Sequence, residues 1–293
     1  MTKHLRGPWA NCTDQPFPGV MAFHDFAAKV ATEITKETIG DGMDAPVNDK
    51  AKPKDKDHED DHHPYRRPKD AATLILVDRS GPVPKVLVGR RHDKVVFMPG
   101  KFVFPGGRVD TADGRVPVAA PIPKELERNL AKGSPKTEPS RARALAVTAI
   151  REACEETGLC LGRKVSGKMP KLEGVWKPFA EAGIVPDPSG LFLIARAITP
   201  PGRVRRFDTR FFTADASSIT HKVPGVIHAD AELVELVWVE IGSKPLEDAH
   251  VMTKNVLREL EKRLATGPLR HDAPFPFFHA VGGKGMQKDI LTN

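Results

Sequence analysis

The stretch "FVFPGGRVDTADGR" at residues 102–115 decides which fold this chain can adopt. It begins as a short hydrophobic strand, passes through Pro105, Gly106 and Gly107, and continues into a polar segment. Glycine has no Cβ atom, so it permits positive φ angles and lets the backbone approach other groups closely. On its own, Pro-Gly-Gly predicts a tight turn that leaves a strand. The paired glycines indicate more than a turn only if another segment supplies a group for them to approach.

A second stretch, "SRARALAVTAIREACEETGL" at residues 140–159, has the features of an α-helix. Ser140 is a residue type that caps the start of helices, and Gly158 is one that ends them. Most residues between them favour helix. The segment therefore predicts a helix that starts at a capping serine and stops at a glycine.

Three carboxylates share one face of this predicted helix. At about 100° per residue, Glu152, Glu155 and Glu156 fall on one side. Like charges at these spacings cost a helix a few tenths of a kcal/mol per pair, roughly, so a counter-charge is expected. One interpretation is a solvated face on which Arg151 pairs with Glu155. The other is a site for Mg²⁺ or Mn²⁺, because hard divalent cations prefer oxygen ligands.

The two stretches together resemble the two halves of the Nudix box. That box is a glycine, five residues, a glutamate, seven residues, and then Arg-Glu-apolar-any-Glu-Glu-any-Gly-apolar. Five residues lead from Gly107 to Asp113, and Arg151–Leu159 matches the second half at every specified position. Asp113 stands where the family has glutamate, and 37 residues separate it from Arg151. The box is therefore interrupted by an insertion.

The resemblance implies a fold, a chemistry and a set of site residues. The fold is α/β, with a mixed β-sheet sandwiched between α-helices. The activity is hydrolysis of a diphosphate linkage in a small-molecule nucleoside diphosphate derivative, with Mg²⁺ or Mn²⁺ as cofactor. Glu155 and Glu156 are implied as metal ligands, Glu152 as a ligand or the general base, and Arg151 as the residue that orients a carboxylate. The carbonyl of Gly106 is implied as a further metal ligand.

The segment before the glycines resembles, in part, the corresponding segment of coenzyme A diphosphatases. The stretch "VLVGRRHDKVVFMPGKFVFPGG" at 86–107 shares a glycine three residues before Phe-Pro-Gly-Gly and a basic stretch before it. Guanidinium groups can hold phosphates through two parallel hydrogen bonds. We therefore predict a substrate such as coenzyme A or an acyl-coenzyme A, although a solvated basic surface is an equal alternative. The residues predicted to bind it are Arg90, Arg91, Lys101, Arg206 and Arg210.

Glu232 and Glu235 lie in a later strand candidate. Either one could supply a further metal ligand or a base. An exposed strand edge is the simpler interpretation for both.

Composition and charge favour some classes of protein and partner over others. The chain has 293 residues and a net charge of +7, which favours an anionic partner. Its basic residues are spread along the chain with few aromatics, so nucleic acid is not favoured as the partner. No segment has the apolar length of a membrane span, and a cytoplasmic location is the default expectation. The three cysteines, Cys12, Cys154 and Cys160, are expected to be free thiols.

The chain divides into four predicted regions. Residues 1–40 form an N-terminal appendage with a short helix, and residues 41–69 form a charged flexible linker. Residues 70–268 form the Nudix hydrolase domain, with an insertion at about 114–140. Residues 269–293 form a C-terminal tail. Because Nudix proteins often form dimers, the resemblance also implies a homodimer.

Apolar runs predict the strands and a second helix of the domain. A helix is predicted over 246–266, and the first two strands are predicted to form a hairpin. The strand candidates are 71–78, 85–91, 102–104, 191–198, 210–214 and 232–239.

Two other functions stay open at this stage. One is a catalytically silent Nudix module that senses a nucleotide. The other is a protein that binds RNA or processes an RNA end, for which RNA binding should depend steeply on salt.

Overall fold

The structure is a computed structural model that describes residues 20–21, 66–95, 99–133, 138–203, 205–243, 246, 249–281 and 285–292. The predicted appendage and linker therefore lie outside the described residues, apart from Val20–Met21 and residues 66–69. No helix within the described ranges is long and apolar enough to span a membrane.

Thirteen strands are present in the described residues, and they form two sheets. In chain order they are β1 Val20–Met21, β2 Lys69–Asp78, β3 Lys85–Arg91, β4 Phe102–Val103, β5 Gly106–Arg108, β6 Leu159–Lys164, β7 Ile184–Pro186, β8 Phe192–Ile198, β9 Phe207–Asp215, β10 Ile219–Lys222, β11 Leu233–Glu240, β12 Phe275–Ala280 and β13 Met286–Leu291. The large mixed sheet has the order β1-β11-β3-β2-β9-β8-β12-β13, with β4 beside β3 and β5 beside β2. Strands β10, β6 and β7 form the small sheet.

Within the described ranges, four α-helices pack against the two sheets. They are α1 Lys124–Ala131, α2 Pro139–Thr157, α3 Lys177–Glu181 and α4 Val251–Thr266. The apolar side of α2 packs on one sheet face, and α4 packs with its Val256 and Leu260 on the other. The predicted fold class, a mixed sheet between helices, is confirmed.

Strand β2 shows why the sheet needs a helix on each face. Leu74 and Leu76 belong to the core under α2, whereas Ile75 and Val77 belong to the core under α4. All four side chains are buried, so the strand reads as a continuous apolar run instead of an alternating one. Its pairing with β3 forms the predicted hairpin.

The described part of the insertion contributes buried residues to the core. Leu126 and Leu130 of α1 are fully buried in the same core as α2. Asn129 donates a hydrogen bond from Nδ2 to the carbonyl of His271, at 2.6 Å. Arg196 of β8 donates to the carbonyl of Lys132, at 2.9 Å. These contacts join the insertion to β8 and to the segment before β12.

The predicted C-terminal tail is also a structural element. Strand β12 runs parallel to β8, and β13 pairs antiparallel with β12 at the edge of the large sheet. Phe275 and Phe278 lie in the two cores on opposite faces. The domain boundary predicted at residue 268 is therefore wrong, because the aromatic residues of "FPFF" supply the apolar surface of a strand.

The prediction of free thiols is wrong for two of the three cysteines. Cys154 near the end of α2 and Cys160 in β6 form a disulfide, with their Cα atoms 4.6 Å apart. The chain turns back at Gly158, and this turn brings the second cysteine beside the first. Cys12 lies outside the described residues.

Candidate functional site

The last turns of α2 carry the predicted carboxylates. The helix begins at Pro139 with Glu138 at its N-cap, so Ser140 is not the cap that the sequence predicted. It ends as predicted at Gly158, which adopts a left-handed φ of 74° and donates its N–H to the carbonyl of Cys154 at 2.9 Å. This stop leaves Glu155 and Glu156 in the final turn.

The paired glycines approach those carboxylates closely. The N–H of Gly106 donates to Oε2 of Glu156 at 3.0 Å. A Cβ atom added to Gly107 would overlap the carboxylate of Glu152, so another residue fits there only if that side chain shifts. Neither glycine has a positive φ. Close backbone approach therefore explains both glycines, and the left-handed conformation that they also permit is not used.

Asp113 holds the glycine loop against the helix. It is completely buried and accepts hydrogen bonds from Arg151 Nε at 2.9 Å and from Thr148 Oγ1 at 2.7 Å. Its own loop is tied to it as well, because the N–H of Asp110 donates to Oδ2 at 3.0 Å. The aspartate thus links loop and helix at the position where the Nudix box has glutamate.

Arg151 connects Asp113 to the acidic face. Its Nη1 lies 2.8 Å from Glu152 Oε1 and 2.6 Å from Glu155 Oε2. Burial would lower the pKa of this guanidinium, but its hydrogen bond with Asp113 and its carboxylate neighbours raise the pKa instead. Arg151 is therefore a fixed positive charge that orients two of the three helix carboxylates.

A fourth carboxylate reaches the same cleft from another element. Glu232, just before β11, lines a cavity of about 290 Å³ together with the three helix glutamates, Val226 and Ala231. Arg91 of β3 holds it through an ion pair of 2.9 Å. In the sequence this residue was indicated only by its place in a strand candidate with a second acidic residue. That second residue, Glu235, pairs with Arg90 at 3.0 Å instead.

Burial and like charges raise the pKa values of two carboxyl groups in this cleft. Burial raises the pKa of Glu156 to about 8, and the charges of Glu232 and Glu152 add to the shift. Burial also raises the pKa of Glu152 to about 6, with Arg151 opposing the shift and Glu155 reinforcing it. Protons are therefore bound here at pH values at which exposed carboxyl groups are ionised.

The donor types in the cleft fit a hard divalent cation. All four side chains offer carboxylate oxygens, the ligands that Mg²⁺ and Mn²⁺ prefer. Among the described residues, however, no three acidic, histidine or cysteine side chains converge closely enough to enclose an ion. Their oxygens are instead paired with Arg151, Arg91 and the N–H of Gly106. A bound cation would have to replace some of these partners.

The predicted substrate-binding residues separate into two groups. Arg90 and Arg91 lie at the end of β3, where Arg91 pairs with Glu232 of the cleft and Arg90 pairs with Glu235 outside it. Lys101 is exposed, and its carbonyl accepts the N–H of Arg91 at 3.0 Å. The contact of these three residues with substrate stays a prediction.

Arg206 and Arg210 are buried, which contradicts their predicted role in binding phosphate. Arg206 donates to the carbonyls of Thr199 and Arg66. Arg210 is 1% exposed and pairs with Asp208 at 2.8 Å. Burial lowers its pKa to about 10. Both guanidinium groups are thus engaged inside the protein, and the basic run in the sequence gave no sign that its members alternate into the core.

No protein-family model and no curated protein matches the chain. Solved structures similar to it include a NUDIX hydrolase from Alicyclobacillus acidocaldarius, with 27% identity over 70% of this chain and 86% of that one, at a TM-score of 0.42. The NUDIX domain of Shewanella oneidensis NrtR, solved with ADP-ribose, has 12% identity over 68% and 90%, at a TM-score of 0.38. The MutT protein of Methanosarcina mazei Go1 has 14% identity over 68% and 96%, at a TM-score of 0.36.

Proposed function

We propose that this protein is a Nudix-type hydrolase that cleaves a diphosphate linkage in a nucleoside diphosphate derivative and requires Mg²⁺ or Mn²⁺. One observation carries the proposal. The three glutamates of the box-like helix and Glu232 line a single cleft, and the glycine backbone predicted to serve them lies against the same carboxylates.

The helix glutamates would hold the cation. Glu155 and Glu156 are the proposed ligands, with the carbonyl of Gly106, and Glu152 is a ligand or the general base. When bound, the cation neutralises phosphate charge and lowers the pKa of water. Arg151 keeps Glu152 and Glu155 oriented towards the cleft, and Asp113 keeps Arg151 in place.

Glu232 supports hydrolysis from a second element. It faces Glu156 closely enough to raise the pKa of that carboxyl group. Arg91 restricts its side chain through their ion pair. A carboxylate held in this way can accept a proton from water or complete the set of ligands.

The basic residues give less support to a coenzyme A substrate than the sequence suggested. Two of the five basic residues predicted to bind phosphate are buried in the sheet, and two others are already paired with glutamates. Fewer cations are therefore available for the additional phosphate of coenzyme A. We propose a nucleoside diphosphate derivative, with coenzyme A and acyl-coenzyme A as compounds to test beside ADP-ribose. A homodimer stays a prediction.

The test is a panel of diphosphate compounds incubated with the protein and Mg²⁺ or Mn²⁺, with products identified by mass. We expect hydrolysis of the diphosphate linkage in at least one compound, with one of the two linked phosphates on each product, and no cleavage in chelator. Glu155→Gln and Glu156→Gln should each lower turnover by orders of magnitude. Glu181→Gln is the matched control, because this exposed glutamate of α3 does not line the cleft.

Two results would contradict the proposal. If both cleft variants keep more than about a tenth of the wild-type turnover, the two carboxylates are not essential for the reaction. Binding of a nucleotide without cleavage of any compound would favour a silent sensing module.

A further inference from the structure

The disulfide closes a short loop that contains two of the proposed metal ligands. Cys154 directly precedes Glu155, and Cys160 follows the turn at Gly158. The Cα atoms of the two cysteines are 4.6 Å apart, which lies within the usual range for a disulfide. Two of the three cysteines in the chain thus bracket the acidic end of α2.

We propose that Cys154 and Cys160 form a reversible disulfide that controls how firmly the last turn of α2 holds Glu155 and Glu156. A cross-link restricts the open states of the loop that it closes. The oxidised protein therefore keeps the two carboxylates in place, whereas the reduced protein lets the turn open more often. The consequence for cation binding rests on the proposed function.

Other contacts keep the turn folded when the cross-link is absent. The N–H of Gly158 binds the carbonyl of Cys154, and the carbonyl of Gly158 accepts the N–H of Val223 at 2.8 Å. Strand β6, which contains Cys160, pairs with both β7 and β10. Reduction should therefore loosen the turn without unfolding the domain, which is what a reversible control requires.

Burial links the redox reaction to opening of the same turn. Cys154 is 4% exposed and Cys160 is completely buried, so an external thiol reaches neither sulfur in the closed structure. A cation bound to Glu155 and Glu156 would hold the turn closed and slow this access. By linkage, the factor by which the disulfide strengthens cation binding is the factor by which the cation favours the disulfide.

The reaction is thiol–disulfide exchange with a low-molecular-weight disulfide such as oxidised glutathione. One cysteine thiolate attacks a sulfur of that compound, forms a mixed disulfide and releases one thiol. The second cysteine attacks the mixed disulfide, forms the Cys154–Cys160 bond and releases the second thiol. The pair loses two electrons and two protons, and the external disulfide gains them.

The first test needs neither metal nor substrate. The protein is first equilibrated with oxidised or reduced glutathione. One portion is denatured and alkylated, and its mass gives the number of reactive thiols. In a second, folded portion, hydrogen exchange is measured at the amides of residues 155–159. We expect two fewer reactive thiols in the oxidised form. We also expect exchange to be about tenfold faster or more in the reduced form, from the loop entropy released. Equal thiol counts, or equal exchange rates, would overturn the proposal.

The second test measures the affinity for Mn²⁺ in the absence of substrate. The oxidised form should bind several-fold more tightly than the reduced form, and Cys154→Ala with Cys160→Ala should match the reduced form in both redox buffers. Cys12→Ala is the control that keeps the full response. Mn²⁺ affinities equal within twofold would overturn control of the cation. If Mn²⁺ binds neither form, the proposed function fails, while hydrogen exchange still decides whether the disulfide controls the turn.

Discussion

Arg151 donates hydrogen bonds to both carboxylate oxygens of Asp113, from Nε at 2.9 Å and from Nη2 at 3.2 Å, across 38 positions of sequence. This paired contact holds together two segments that the insertion separates. Arg151 also donates from Nη2 to the carbonyl of Arg108 at 2.9 Å, so β5, which contains the paired glycines, is fixed by the same guanidinium. Because this contact fixes both ends of the insertion, the length of the insertion changes the free energy of closing the loop only slightly.

Replacing Asp113 with asparagine should destabilise the fold. The change removes the charge opposite a buried guanidinium, and breaking a buried ion pair on one side costs about 3–5 kcal/mol. Glu152 and Glu155 remain beside Arg151, so we expect a loss of about 2–4 kcal/mol in the free energy of unfolding, measured in urea. The matched control is Asp110→Asn, at an exposed aspartate of the same loop. If both variants lose the same free energy of unfolding, the buried ion pair of Asp113 with Arg151 contributes no more to stability than the exposed Asp110 does.

The insertion should be necessary for stability. Leu126→Ala and Leu130→Ala each empty a completely buried position, and such changes cost about 2–5 kcal/mol. Deletion of 116–133 should give insoluble protein because α1 covers part of α2 and β8. Lys124→Ala, at an exposed position of the same helix, should change stability by less than about 0.5 kcal/mol. A soluble deletion variant with an unchanged unfolding midpoint would show that α1 packs only weakly.

The C-terminal strands should be equally necessary. Phe275 is 1% exposed in the core that also contains Leu126 and Leu130. Phe275→Ala should therefore cost about 3–5 kcal/mol, measured by chemical denaturation. Ile290→Ala is the control on the neighbouring strand, since Ile290 is 52% exposed and should tolerate the change. If both variants unfold at the same denaturant concentration as the wild type, β12 is dispensable for the core.

The sequence predicted those parts of the fold that local patterns specify. The apolar run of β2, the glycine stop of α2 and the spacing of the three glutamates all depend on neighbours within a few residues. The positions of α1 and β12 depend on contacts between distant segments, such as Asn129 with His271. A pattern of hydrophobic residues in a proline-rich segment does not reveal those contacts.

The residues of the candidate site also divide into those that a local pattern predicts and those that only the folded sheet brings into place. Glu152, Glu155 and Glu156 were identified because a helix repeats regularly, whereas Glu232 enters the cleft only through the pairing of β11 with β3. Arg206 and Arg210 were misassigned for a related reason. A basic run indicates charge, but only the sheet determines that Arg210 points into a buried cluster with Asp208.

The acidic cleft should make the metal-free protein less stable as the pH rises. The pKa of Glu156 is raised to about 8 in the folded state, above the ordinary value of 4.5. Between these values the folded state binds more protons than the unfolded state, so the free energy of unfolding falls as pH increases. Glu152, with a pKa of about 6, adds to the fall at the lower end of this range.

Glu156→Gln should remove most of this dependence between pH 6 and pH 8, because an amide does not have to lose a proton in the buried cleft. In chelator at pH 8 the variant should be more stable than the wild type by on the order of 2 kcal/mol, and at pH 5 the two should be nearly equal. Urea denaturation of both proteins at each pH measures this difference, with Glu181→Gln as the control at an exposed glutamate. Adding Mn²⁺ at pH 8 should reverse the order, since the wild type then gains a bound cation that the variant holds less tightly. A variant that is no more stable than the wild type at pH 8 in chelator would show that Glu156 is ionised without cost in the folded protein.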